Sequence, residues 1–211
     1  MSMTVGTCLF FATAALIAAR PAARPAMARS AVPMVWRTER MMRDALRGRG
    51  DSTTRFPRVE GTNLEGRVFD LPSDFEGELN VVIVAFQRVQ QNDVDTWLPF
   101  LTSAAQARAD LRVYELPTLN RAYRFARSFI DGGMSRGIPS RATREATITL
   151  YIDKTPFKRA LGIVNEASIR VLLVSRDGRV LWQTSGVHDE RSAARLTAAI
   201  DSARVESVLL K

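Results

Sequence analysis

Four amide side chains crowd one short stretch of this 211-residue chain, Gln87, Gln90, Gln91 and Asn92 of "AFQRVQQNDVDTWLPFL" (residues 85–101). Neutral amides donate and accept at once, so such a group could hold a carbonyl or an amide, and preorganised donors of this kind can line an oxyanion site. No nucleophile stands beside them. Asp93 and Asp95 follow, but two residues apart at a helix start they point to different sides, and acids suit that place on dipole grounds, with Asp93 as the expected N-cap. A second stretch, "DGGMSRGIPSR" (residues 131–141), joins Asp131, Gly132-Gly133 and Arg136 downstream of Tyr123. It has the flexible, basic character of an anion-holding loop, and the simpler reading is that the glycine pair ends a helix.

Metal and thiol chemistry are poorly supplied. The single cysteine, Cys8, lies in an N-terminal apolar run, so disulfides and thiol catalysis are excluded from the rest of the chain. The single histidine, His188, follows Gly186 in an expected loop and reads as a surface residue, because a zinc site around it would need three carboxylates. No catalytic residue, metal ligand or cofactor site is assigned.

The elements that would position the amides follow from periodicity. "NVVIVAF" (80–86) is a continuous β-branched run of the kind found in a central strand covered on both faces, and it empties directly into the amide stretch. Val94, Trp97, Leu98, Leu101, Ala104 and Ala105 then recur at helical spacing as one buried stripe. "LRVYEL" (111–116) reads as a strand and "LNRAYRFARSFI" (119–130) as an amphipathic helix ended by Gly132 and Gly133, with Tyr123, like Trp97, turned to the sheet. "TITLYI" (147–152) is a third strand and "PFKRALGI" (156–163) a helix with proline in its first turn. "IRVLLVSRDGRVLWQTSG" (169–186) predicts a hairpin turning at Arg176-Asp177-Gly178, and a last helix spans about 190–205. Strands alternating with helices mean a mixed α/β domain.

Charge and targeting bound the function. The net charge is +8, but residues 1–50 hold eight arginines against Glu39 and Asp44, leaving +2 for residues 51–211. That body shows no basic stripe interleaved with aromatics, which speaks against nucleic acid as partner. "TVGTCLFFATAALIAA" (4–19) has signal-peptide length, and Ala26-Met27-Ala28 offers a small-x-small cleavage pattern. Export or membrane anchoring is the first expectation. An Arg- and Ala-rich stretch over 20–37 also suits a mitochondrial transit peptide, and initiation at Met34 or Met41 would leave a cytoplasmic protein. Apolar residues among arginines over 35–46 predict a short basic amphipathic helix, which would either touch an anionic membrane surface or serve as a linker helix that packs on the body or frays. Peripheral or anchored membrane contact is expected through the N-terminal segment. The expected division is residues 1–28 as targeting segment, 29–55 as basic linker and 56–211 as the folded domain.

The order of elements over 56–205 resembles the thioredoxin-like fold, in the form found in peroxiredoxins and membrane-tethered thiol-disulfide proteins. "GTNLEGRVFDLPSDFEG" (61–77) looks like the N-terminal hairpin of those proteins and "LYIDKTPFKRALGIVNEASIRVLLVSRDGRVLWQTSG" (150–186) like their closing strand, helix and hairpin. The resemblance implies that the redox turn falls in the amide stretch, its cysteines at Gln91 and Val94. Pro99 stands where those proteins kink the following helix, which supports the register. It also implies that the cis-proline facing that turn is replaced by Ile169. Thiol-disulfide exchange and peroxide reduction both need a thiolate, so neither activity carries over. "RALGIVN" followed by "VLLVSRDGRVLW" is similar to the cysteine-less family of mitochondrial ATP synthase assembly factors and to uncharacterised bacterial relatives. The expectation is a redox-inactive domain that binds a protein partner through Gln87, Gln90, Gln91 and Asn92. The alternative is an enzyme with thiol-independent chemistry at the Gln87–Asn92 turn, which requires a deep polar pocket there.

Overall fold

A computed structural model describes residues 54–209. The expectations placed on residues 1–53, including the targeting segment and the basic amphipathic helix, lie outside the described residues.

The N-terminal hairpin forms as expected. Strands β1 (Val59–Asn63) and β2 (Val68–Leu71) pair antiparallel around Gly66, whose φ of 89° lies in the left-handed region that favours glycine. Asn63 fixes the turn by accepting the backbone N–H groups of Glu65 and Arg67 through its side-chain oxygen. Strand β3 (Leu79–Ala85) is buried at every residue. It runs parallel to β4 (Leu111–Asn120) on one side and antiparallel to β6 (Arg170–Ser175) on the other. The seven strands lie in the order β2-β1-β5-β4-β3-β6-β7, with β5 (Ile148–Ile152) parallel to β4 and β7 (Val180–Ser185) closing the far edge. Gly178, at a φ of 83°, turns the β6–β7 hairpin where the sequence placed it.

Period-2 alternation along β3 divides the interior into two layers. Val82, Val84 and Phe86 face a layer built with Phe56, Phe75, Tyr114 and Phe157, the last from helix α4 (Lys154–Ala160). Val81, Ile83 and Ala85 face the opposite layer, under α1 (Gln91–Gln106) and α5 (Glu190–Leu209), where Trp97, Leu101, Leu196 and Ile200 are buried. Each buried branched or aromatic side chain contributes about 1.5–3 kcal/mol, so a strand buried on both faces anchors the sheet. Asn80 is the one polar side chain inside β3 itself. It is satisfied by the Gly77 N–H and carbonyl and by the Val174 carbonyl, as a buried amide must be. The result is a mixed α/β architecture, a seven-stranded central sheet flanked by helices, with an N-terminal hairpin.

Four expectations are corrected between residues 93 and 146. Asp93 does not cap α1: a turn of 3-10 helix over Arg88–Gln90 starts the coil early and leaves Asp93 in the first turn. The helix expected over 119–130 is instead three pieces. β4 continues to Asn120 because Thr118, Leu119 and Asn120 pair with Leu150, Tyr151 and Ile152 of β5, and that ladder overrides the helical period. Asn120 then caps a 3-10 segment over Arg121–Ala126, and α2 (Arg127–Gly137) follows with Gly132 and Gly133 inside it, so the glycine pair ends nothing. Tyr123 is exposed rather than turned to the sheet. A short helix α3 (Arg141–Ala146), capped by Ser140, completes the connection.

Candidate functional site

The amide turn opens where β3 ends. The backbone N–H of Phe86 donates to Gln90 Oε1 at 2.8 Å and that of Gln87 donates to the same oxygen at 3.2 Å. Gln90 Nε2 donates to the Glu166 carbonyl at 2.7 Å, and Gln87 Nε2 reaches the same carbonyl at 3.1 Å. Gln90 is therefore 3% exposed. This corrects its expected place at the surface: tied across 76 residues of sequence to the loop before β6, its amide cannot face solvent. Two of the four amides, those of Gln87 and Gln90, hold a carbonyl, and that carbonyl belongs to the chain itself.

The remaining sequence-derived residues separate cleanly. Gln87, Gln91 and Asn92 are exposed. Gln91 Nε2 donates to Asp95 Oδ1 at 3.1 Å along the first turn of α1. Val94 is fully buried in the layer under α1 and α5, as is Ile169 at the start of β6. Ile169 accepts the Gly186 N–H through its carbonyl, and the cis peptide bond among the described residues is Leu71-Pro72, far from it in sequence. The turn and the loop that ends at Ile169 thus face each other, stapled by Gln87 and Gln90 to Glu166. Pro99 stands inside α1 and is exposed, on the face where a missing helix hydrogen bond can be replaced by water.

Two lysines hold the far side of the staple. Lys154 and Lys158 of α4 place Nζ at 2.6 and 2.8 Å from the two oxygens of Glu166. Burial would raise the Glu166 carboxyl, but hydrogen bonds and charge from both lysines outweigh it and lower the pKa below the usual carboxylate range. Lys154 also sits 5.8 Å above the Phe86 ring. Around this fixed centre the surface is apolar in two places, since Val89 and Val164 are exposed on the turn and on the α4–β6 loop.

Glu115 was missed by sequence reasoning. It occupies an inward position of β4, beside Gln91 and Asp95, where burial and then the Asp95 charge push its carboxyl up to about 7 while a hydrogen bond from Gln91 opposes them. The available signal was a lone acid between the core residues Tyr114 and Leu116 of a strand. His188 was read as a surface residue and is packed instead: its ring lies 5.1 Å from Trp97 and 5.4 Å from Phe100, with Nε2 buried and unpartnered among the described residues. Asp131 is joined by Arg127 and by the Tyr151 hydroxyl, which donates to it at 2.9 Å, beside a small open cleft lined by Thr62, Arg124 and Thr149. Among the described residues no group of acids, histidines and cysteines is arranged to hold a metal, and no helix is long and apolar enough to cross a membrane.

Against known proteins, a family model described as "ATP10 protein" matches residues 48–202. No curated protein matches the chain. Among solved structures, BsSco, a member of the Sco family of cytochrome c oxidase assembly proteins, is 13% identical over 69% of this chain and 93% of its own, with a TM-score of 0.49. Yeast Sco1 with copper bound is 11% identical over 71% and 94%, also at 0.49. The exposed lipoprotein thioredoxin Etrx1 from Streptococcus pneumoniae is 14% identical over 69% and 99%, at 0.47.

Proposed function

Since the chain belongs to the ATP10 protein family, a family of assembly factors, we propose that it acts without catalysis, binding a protein partner during assembly of an ATP synthase. In this reading Gln91 and Val94 occupy the positions of two lost redox cysteines and Ile169 that of the lost cis-proline. Residues 56–211 form the binding domain and residues 1–55 its targeting segment and basic linker. The observation that carries the proposal is the staple: Gln90 is buried and, with Gln87, ties the turn to the Glu166 carbonyl, which leaves the neighbouring side chains facing outward. That surface presents Gln87, Gln91 and Asn92 with Val89 and Val164 exposed beside them. Apolar residues ringed by amides suit a protein surface, where a few buried anchors carry most of the affinity.

The thiol-independent enzyme keeps one favourable observation, the Glu115 carboxyl held near neutrality beside Gln91, since perturbed acids collect at catalytic sites. Its position facing α1 suits a buried structural acid equally well.

The test is genetic and biochemical. Cells lacking this protein are complemented with the wild type or with Val89→Asp/Val164→Asp, and assembled ATP synthase is measured on native gels. The double variant keeps its fold, both positions being exposed, and loses at least about tenfold in partner capture and assembly. Full complementation by the double variant, or disulfide reduction or peroxide turnover by the purified protein, refutes the proposal.

A further inference from the structure

The segment Arg121–Gly137 is helical throughout, yet none of its side chains is buried. Phe125 is 91% exposed and Phe129 79%, with Tyr123 exposed beside them. Short helices in water are marginal unless a face is packed, and glycine inside one costs about 1 kcal/mol relative to alanine. α2 carries Gly132 and Gly133 in its interior and buries no residue fully. Three protruding aromatics on an uncovered helical segment mark a surface that something covers.

Charge selects the cover. Within the segment Arg121, Arg124, Arg127 and Arg136 stand against Asp131, and from β1 Glu60 pairs with Arg124 at 3.6 Å, which leaves the patch net positive. Asp131 is half-buried and already engaged by Arg127 and the Tyr151 hydroxyl, so it offers no repulsive charge outward. Arg121 and Arg136, at the two ends, make no ion pair among the described residues. A second copy of the same patch would oppose like charges. The chain's own residues 1–50, with eight arginines against two acids, would do the same. The Phe125 and Phe129 rings are 91% and 79% exposed, as side chains that insert into a fluid layer would be.

We infer that Arg121–Gly137 is a membrane-surface docking element, in which Tyr123, Phe125 and Phe129 enter the interface of an anionic bilayer and the flanking arginines meet lipid phosphates. Aromatic side chains settle at the boundary between headgroup and acyl chain, and basic residues are drawn to anionic lipid within about a Debye length. The inference rests on residues other than those of the amide turn and stands independently of the partner proposed above.

The experiment uses the full chain with vesicles of phosphatidylcholine alone and of phosphatidylcholine mixed with phosphatidylglycerol. Partition is measured by co-flotation, and a polarity-sensitive dye is placed on Ser128→Cys in a Cys8→Ser background. The dye is expected to shift to the blue only with anionic vesicles and to lose that shift in high salt. Phe125→Ser/Phe129→Ser is expected to lower the partition coefficient at least about tenfold while melting as the wild type does. Unchanged partition of the double variant overturns the inference even if the protein floats, because binding would then run through another segment. An unshifted dye overturns it as well. A shift given by an acidic protein, or by raised protein concentration, and not by vesicles would assign the patch to a protein cover instead.

Discussion

Replacing Gln90 tests whether the turn is held by its staple. In Gln90→Ala the Phe86 N–H, buried at the end of β3, loses its acceptor at 2.8 Å, and an orphaned buried donor costs about 1–3 kcal/mol. The Gln87 N–H lies at an exposed residue and recovers water, while the Glu166 carbonyl keeps Gln87 Nε2. The lost γ-methylene adds about 1 kcal/mol. The sum is a loss of about 3 kcal/mol, read as a lower urea midpoint at unchanged slope. Gln90→Glu separates the staple from mere packing. Its carboxylate still accepts from Phe86 and Gln87, but its second oxygen faces the Glu166 carbonyl with no proton between them. The folded state then favours the protonated acid and raises its pKa. The penalty relative to wild type is full above that folded pKa and shrinks as pH falls toward the unfolded value near 4.3. A loss below about 1 kcal/mol in Gln90→Ala, or a Gln90→Glu penalty independent of pH, would refute the staple.

Two further outcomes follow from buried ionisable or polar groups. Glu115, with a folded pKa of about 7 against an ordinary value of 4.5, opposes folding once ionised. The penalty builds between pH 4.5 and 7 and is complete above it, so Glu115→Gln should leave stability nearly unchanged near pH 4.5. It should raise stability at pH 8 by up to about 3 kcal/mol; thermal melts at both pH values check the sign. His188→Phe replaces a ring whose buried Nε2 has no partner among the described residues with an apolar one between Trp97 and Phe100. Stability should hold or rise by about 1 kcal/mol in urea unfolding, and a clear loss would show that Nε2 is satisfied by water.

Local pattern was enough wherever burial repeats along one element. The apolar run of β3, the Val94–Trp97–Leu101 stripe of α1 and the Gly178 hairpin were legible because each encodes its own environment within a few residues. From these came most of the order of elements and the mixed α/β architecture, and the sequence shows directly that no cysteine follows Cys8. Tertiary structure decided what depends on partners distant in sequence. Gln90 is inside because a carbonyl 76 residues away receives its amide. β4 continues to Asn120 because β5 pairs with it, and the His188 ring is packed, with Nε2 buried, because it sits against Trp97 and Phe100. In each case a polar or amphipathic residue is locally indifferent, and long-range hydrogen bonding or packing settles its side. The uncovered aromatics of Arg121–Gly137 show the converse: their spacing resembles a buried helix face, and only the fold reveals that nothing within the described chain buries them.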